Sequence, residues 1–198
     1  MAKILVTGSS GHLGEALMRV LPGHGHDVVG LDRTPGAFTQ MVGDITDADL
    51  VAKAMVGVDA VMHAATLHKP HVATHSRQDF VHANISGTLT LLQAAVASGV
   101  GAFVYTSTTS AFGAALTPPP GAPAAWIAET VIPVPRNIYG VTKCAAEDLC
   151  QLSHRKDGLP GIVLRVSRFF PEEDDNAEMR RAYTYSNLIA NEFLFRMV

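Results

Sequence analysis

Only two cysteines, Cys144 and Cys150, occur in the 198 residues. They lie six apart on a segment of helical periodicity and so point to different faces, which argues against a disulfide and fits a reducing compartment. No basic stripe is present and the formal net charge is -3, so a nucleic-acid footprint is not expected. No apolar run is long enough for a bilayer. The longest, residues 89–105, is broken by Gln93, Ser98, Gly99 and Gly101 and predicts a helix followed by a strand, with no membrane partner. A charged-then-apolar leader is also missing, because the chain opens on strand-like Lys3-Ile4-Leu5-Val6, and the expectation is a cytoplasmic protein. There is no internal repeat. His68, His71 and His75, with His63 just before them, have no cysteine or acidic residue spaced to complete a tetrahedral site, so no metal is expected.

The sequence does contain a strong alternation of elements. A hydrophobic fraction of 47% with 17% charged residues suits one globular domain with a large core. Apolar runs predict strands at 3–7, 27–31, 40–42, 58–65, 101–107 and 160–166. Between them, helical periodicity predicts helices over 12–21, from a cap at Thr46 or Asp47 through 55, over 79–98, and over 139–155. On the last of these Val141, Ala145, Leu149 and Leu152 are expected to face inward. Such an order gives parallel βαβ units and an α/β, doubly wound, Rossmann-like sheet that binds ligands at the carboxyl ends of its strands. Residues 113–135 form a long Pro-, Ala- and Gly-rich loop of the kind often tied to function. We divide the chain into a dinucleotide-binding domain over 1–170 and the incomplete start of a substrate-binding region over 171–198. The second part opens on the acidic run Glu172-Glu173-Asp174-Asp175, and 177–198 is expected to be helical.

Two motifs carry chemistry. Thr7-Gly8-Ser9-Ser10-Gly11-His12-Leu13-Gly14 follows the first strand and opens the first helix. Glycines in that context permit a tight turn, close approach of backbone to a pyrophosphate, and close packing of helix on strand, while the helix N-terminus offers N–H groups to the anion. Asp32, at the end of the second strand, can accept hydrogen bonds from ribose hydroxyls and would repel a 2′-phosphate, which favours NAD; Arg33 beside it can attract that phosphate, so NADP stays open. The second motif, Tyr139-Gly140-Val141-Thr142-Lys143, stacks a phenol and an ammonium one helical turn apart. An ammonium near a phenol lowers its pKa and makes it a usable acid or base. The hydroxyl cluster Thr106-Ser107-Thr108-Thr109-Ser110 ends the fifth strand, where it serves either as a polar strand cap or as a grip on a substrate oxygen.

Together these residues resemble the extended short-chain dehydrogenase/reductase superfamily, in its NAD-dependent epimerase/dehydratase branch, over nearly the whole chain. The resemblance implies that Gly8, Ser10, Gly11, His12, Leu13 and Gly14 hold the dinucleotide, with Asp32 and Arg33 at its ribose. Asp44 and Ile45 of Gly43-Asp44-Ile45 would flank the adenine, and His63, Ala64 and Ala65 would line the cofactor. Asn84, in Asn84-Ile85-Ser86-Gly87-Thr88, would support the active site. Alignment of Thr106–Gly113 on Phe112-Gly113 makes Thr108 the catalytic hydroxyl, which also meets the substrate, with Ser107 close behind it at the cofactor; Tyr139 and Lys143 complete the triad, and these two also touch the cofactor. Arg168 stands where many sugar-nucleotide enzymes carry an asparagine near the substrate. A small-molecule substrate and a homodimer paired through the helices at 79–98 and 139–155 are implied. Dehydrogenation, keto reduction, epimerisation and dehydration share these residues; the alternative is a catalytically silent NAD(H)-binding sensor.

Overall fold

The computed structural model describes residues 1–128, 130–167 and 196–197. Six parallel strands, β1 (Lys3–Thr7), β2 (Asp27–Asp32), β3 (Met41–Val42), β4 (Ala60–His63), β5 (Ala102–Thr108) and β6 (Gly161–Val166), form a sheet of order β3-β2-β1-β4-β5-β6. The order reverses between β1 and β4, so a crevice opens at their carboxyl ends, as a doubly wound sheet requires. Register is continuous across that point: Thr7 lies opposite both Leu31 and His63, and His63 opposite Tyr105. At the far edge β7 (Arg196–Met197) pairs antiparallel with β6, so the helix expected over 177–198 does not reach these two residues. Residues 168–195, including Arg168 and the acidic run, lie outside the described residues.

Alternation along β1 splits the core in two. Ile4 and Val6 pack with Met18 of α1 (His12–Val20) on one face. Leu5 turns to the other, where Val61, Phe103, Tyr105 and Val163 meet α2 (Ala48–Ala54), α4 (Gly87–Ala97) and α5 (Ile138–Asp157). Local chemistry sets the helix starts. The Asp47 carboxylate accepts from the Asp49 and Leu50 N–H groups to open α2, and the Asn137 side chain accepts from Gly140 N–H to open α5. The helix expected at 79–98 begins two residues earlier: Ser76 caps α3 (Arg77–Phe80), which runs into a wider π-helical stretch at Val81–Ser86 before α4. Periodicity alone does not signal that extra residue per turn, and such widenings gather at functional sites.

The inward face of α5 is the expected one only in part: Leu149 packs against the core. Val141 and Leu152 are 46% and 45% exposed, whereas Tyr139, Thr142, Lys143, Ala146, Glu147, Cys150 and Ser153 are buried. The hydrophobic-periodicity rule fails here because the buried polar groups find partners inside, described below. Both cysteines are free thiols.

Candidate functional site

A cleft of about 1050 Å³ runs along the carboxyl edge of the sheet. One wall is the glycine turn. Gly8 adopts φ +76°, and a Cβ there would fall 2.7 Å from the Ala65 nitrogen, so only glycine lets β1 and the chain leaving β4 meet. A Cβ on Gly14 would overlap the Gly8 carbonyl, which keeps α1 tight against the turn. Gly11 caps α1 without a side-chain hydrogen bond, at the end of the helix that borders the cleft. Gly8, Ser10, Gly11, His12, Leu13 and Gly14 all line this wall. A concavity of backbone donors at the positive end of a helix fits a pyrophosphate.

Asp32 and Arg33 continue the wall. The Asp32 carboxylate accepts from Ser10 N–H (3.0 Å) and Thr34 N–H (2.8 Å), which fixes it beside the turn with lone pairs to spare. Asp44 and Ile45 line the same end. Asp44 is held by the Thr46 N–H and hydroxyl, and Ile45 packs where a side chain on Gly87 would stand.

Ala64 and Ala65 line the cleft, but His63 does not, contrary to the expectation that its side chain meets a cofactor. The ring is buried behind the cleft between β1 and α4. Thr88 donates to the Asn84 carbonyl, so it accepts from the ring Nε2–H (2.9 Å); the ring Nδ1 then accepts from the Thr7 hydroxyl (2.7 Å), which itself accepts from Ala65 N–H (3.3 Å). Every partner therefore suits a neutral imidazole. Burial first, then the Lys143 charge, takes its pKa down to about 3.

Asn84 is likewise set back from the cleft. Its carbonyl accepts from Leu67 N–H (2.8 Å) and the Thr66 hydroxyl (3.0 Å), and its amide donates to the Leu67 carbonyl (2.9 Å) and the Thr142 hydroxyl (3.0 Å). With these four bonds it ties the chain after β4 to the first turn of α5. It makes no bond to Thr108, Tyr139 or Lys143. The next stretch carries the histidines. His68, His71 and His75 stack edge to face, 4.3 and 5.0 Å between centroids, and His71 Nδ1 accepts from His68 N–H. Among the described residues no group of three or more His, Cys, Asp or Glu is placed to hold a metal.

The opposite wall brings together the predicted hydroxyls and the phenol. Ser107, Thr108 and Tyr139 line the cleft that the glycine turn also lines. The Thr108 oxygen accepts from Ser110 N–H (3.1 Å), and Thr108 is the polar neighbour that acts on the Tyr139 phenol. Lys143 departs from expectation. It is 2% exposed and does not line the cleft; its Nζ donates to the Thr106 carbonyl (2.6 Å) and lies 4.2 Å from the centre of the Tyr105 ring. Burial brings its pKa down to about 7, against the pull of Glu147. Tyr139 consequently is not lowered by an ammonium: burial raises its pKa, and the Thr108 bond offsets only part of that. In this state Tyr139 is a protonated phenol, suited to give a proton more than to take one.

Sequence reasoning missed what stands behind this wall. Glu147 continues the stripe of Tyr139 and Lys143 at the next helical turn. It receives the Arg165 fork at 2.6 to 3.2 Å, with the two side chains 4% and 7% exposed, and the Ser107 hydroxyl on the same carboxylate. Arg165 also lies over the Phe112 ring at 4.7 Å. The i,i+4 spacing of Glu147 was a visible signal; its partners on β5 and β6 were not.

Comparison with known proteins agrees with this geometry. A family model described as the NAD dependent epimerase/dehydratase family matches residues 4–191. A UDP-glucose 4-epimerase of Azospirillum brasilense is 31% identical over 173 residues, covering 82% of this chain and 48% of that protein. A 3-beta-hydroxysteroid dehydrogenase of Mycolicibacterium neoaurum is 36% identical over 120 residues, covering 56% and 33%. The crystal structure of a short-chain dehydrogenase/reductase superfamily protein from Agrobacterium tumefaciens with bound NAD superposes with a TM-score of 0.75 at 29% identity, over 96% of this chain and 60% of that one. The chain thus spans a third to a half of these two curated relatives.

Proposed function

The chain belongs to the NAD-dependent epimerase/dehydratase family, and on that premise we propose that its cleft binds NAD and exchanges a proton with a carbinol or carbonyl substrate through Tyr139. The observation that carries this reading is the shared cleft: the glycine turn and the Tyr139–Thr108 pair face one space. Gly8, Gly11, Leu13 and Gly14 would hold the pyrophosphate, Asp32 the ribose hydroxyls, and Asp44 and Ile45 the adenine. Asp32, already fixed toward the turn, supports NAD over NADP, with Arg33 leaving weaker NADP binding. When bound, NAD supplies a hydride acceptor, and as NADH a hydride donor. The residues do the rest. Thr108 orients the substrate oxygen, and the protonated Tyr139 phenol gives it a proton as a carbonyl becomes a carbinol, or receives one in reverse. Lys143 would reach the nicotinamide ribose only on leaving the Thr106 carbonyl.

The finer assignments follow from the same reading. The curated relatives include a sugar-nucleotide epimerase and a steroid dehydrogenase, so the reaction is set by substrate contacts, to which Arg168 would contribute. Val141 and Leu152 of α5 and Leu89 of α4 are exposed apolar residues on the two helices expected to pair, which supports a homodimer, testable by light scattering. Among the described residues no helix is long and apolar enough to cross a membrane. The decisive variant is Tyr139→Phe, assayed with sugar nucleotides and small ketones. Turnover falls by about 10²–10⁴-fold while NAD affinity stays within a few-fold; full activity in that variant would overturn the reading, and unaltered affinity with no turnover in either protein would leave the silent sensor.

A further inference from the structure

Burial does not hold the turn that follows β2: Arg33, Thr34, Pro35, Gly36 and Ala37 are all exposed. Its far end is anchored by Phe38, which packs against the Ile4, Val6 and Met18 cluster under the Arg19 guanidinium. Its near end is held by a row of hydroxyls. Ser10 Oγ donates to the Thr34 carbonyl (2.7 Å). Thr39 Oγ1 lies 2.7 Å from Ser10 Oγ and 2.7 Å from Ser9 Oγ. A hydroxyl has one proton. That of Ser10 is on the carbonyl, so Thr39 donates to Ser10, and Ser9 in turn donates to Thr39. The row therefore runs one way, from Ser9 through Thr39 and Ser10 to Thr34. Thr34 N–H and Ser10 N–H then hold one oxygen each of the Asp32 carboxylate. The fit is close, since a Cβ on Gly36 would fall 2.5 Å from Ser10 Oγ.

We propose that Thr39 sets the preference for NAD over NADP from outside the cleft: its hydroxyl, through Ser10 and Thr34, keeps the Asp32 carboxylate where a ribose 2′-hydroxyl finds an acceptor and a 2′-phosphate meets a negative charge. A carboxylate discriminates against an anion only as far as it cannot turn away. Without the Thr39 hydroxyl the bridge between Ser9 and Ser10 is gone, and the exposed turn can swing with Asp32 and Arg33 on it. Asp32 then withdraws from the ribose, and Arg33 can meet a phosphate. Both changes move the preference in the same sense. Thr39 does not line the cleft that Ser10, Asp32, Arg33 and Thr34 line, so it is a positioning residue. The proposal rests on the NAD reading above.

The test is calorimetric titration of the whole chain with NAD⁺ and with NADP⁺, in Thr39→Val, which keeps the shape and removes the hydroxyl, and in Thr39→Ser, which keeps the hydroxyl. The unaltered protein binds NAD⁺ more tightly. In Thr39→Val the ratio of the NADP⁺ to the NAD⁺ dissociation constant is expected to fall about fivefold, the worth of one ordinary hydrogen bond. Thr39→Ser is expected to keep the ratio within about twofold of the unaltered protein. A merely structural role would weaken both dinucleotides alike, and an unchanged ratio in Thr39→Val overturns the proposal while leaving NAD binding intact. If Thr39→Val does not fold, Ser10→Ala breaks the same row at its carbonyl end and must lower the same ratio. Equal binding of both dinucleotides by the unaltered protein also overturns the proposal. Failure of the unaltered protein to bind either one overturns the NAD reading itself, and this proposal with it.

Discussion

At the amino-terminal wall of the cleft the working groups are backbone N–H groups exposed by glycines; at the wall formed by β5, β6 and α5 they are side chains whose protons are fixed by buried partners. The first wall is made almost entirely within eight consecutive residues. The second assembles Ser107, Tyr139, Lys143, Glu147 and Arg165 from three elements. A wall built of backbone fails sterically, when a Cβ intrudes. A wall built of buried charge fails electrostatically, when one partner is removed or the pH moves. The two are separable by mutation.

The largest expected effect breaks the electrostatic wall. Arg165→Met leaves the Glu147 carboxylate buried and unpaired, and urea unfolding is expected to lose about 3–5 kcal/mol. Adding Glu147→Leu is expected to restore most of the loss, since a well-packed apolar pair replaces buried ions at little cost. A double variant as unstable as the single one would mean the ion pair is not what holds this wall. The steric wall is broken by Gly14→Ala. The methyl meets the Gly8 carbonyl and the Ser9 backbone and pushes α1 off the turn; NAD binding is expected to weaken by about 100-fold, and because the clash is with backbone the unfolding midpoint is expected to fall as well. Unaltered affinity would show that the turn tolerates displacement.

Two titrations sharpen the contrast. His63 holds its neutral form down to about pH 3 when folded and titrates at 6.5 when unfolded. Its contribution is therefore complete above pH 6.5 and is lost as the pH falls toward 3, at up to about 1.4 kcal/mol per pH unit. His63→Gln is expected to flatten that limb in denaturation curves taken from pH 7 to 4. Lys143 has the same sign in another window. Its pKa falls from 10.5 to about 7, so stability rises as the pH climbs from about 7 toward 10.5, where the buried group sheds its charge. Lys143→Met is expected to remove that rise in denaturation curves taken from about pH 7 to 10. A slope that survives either substitution belongs to another group.

Legibility followed the same division. The glycine turn, Asp32 and the parallel order could be read in advance because they depend on neighbours in sequence, where spacing equals geometry. Tyr139 and Thr108 could be aligned to a family pattern, and they do share the cleft. The inner face of α5 could not be read. Apolar periodicity favoured Val141 and Leu152, yet the helix buries Lys143 and Glu147, because the Thr106 carbonyl, the Tyr105 ring and Arg165 meet them from strands distant in the chain. His63 and Asn84 were visible as motif residues, but only their hydrogen-bond partners reveal that they brace the cleft from behind.

The central claim is that a nicotinamide ring held by the glycine turn lies against the Tyr139 phenol. It is tested most directly by ¹³Cζ-tyrosine NMR, with the Tyr139 resonance assigned through Tyr139→Phe and followed during titration with NAD⁺ and with ADP-ribose, which lacks the ring. The account predicts that both ligands bind and that NAD⁺ alone moves the Tyr139 signal strongly. Saturation with NAD⁺ that leaves the signal where ADP-ribose leaves it would contradict the account.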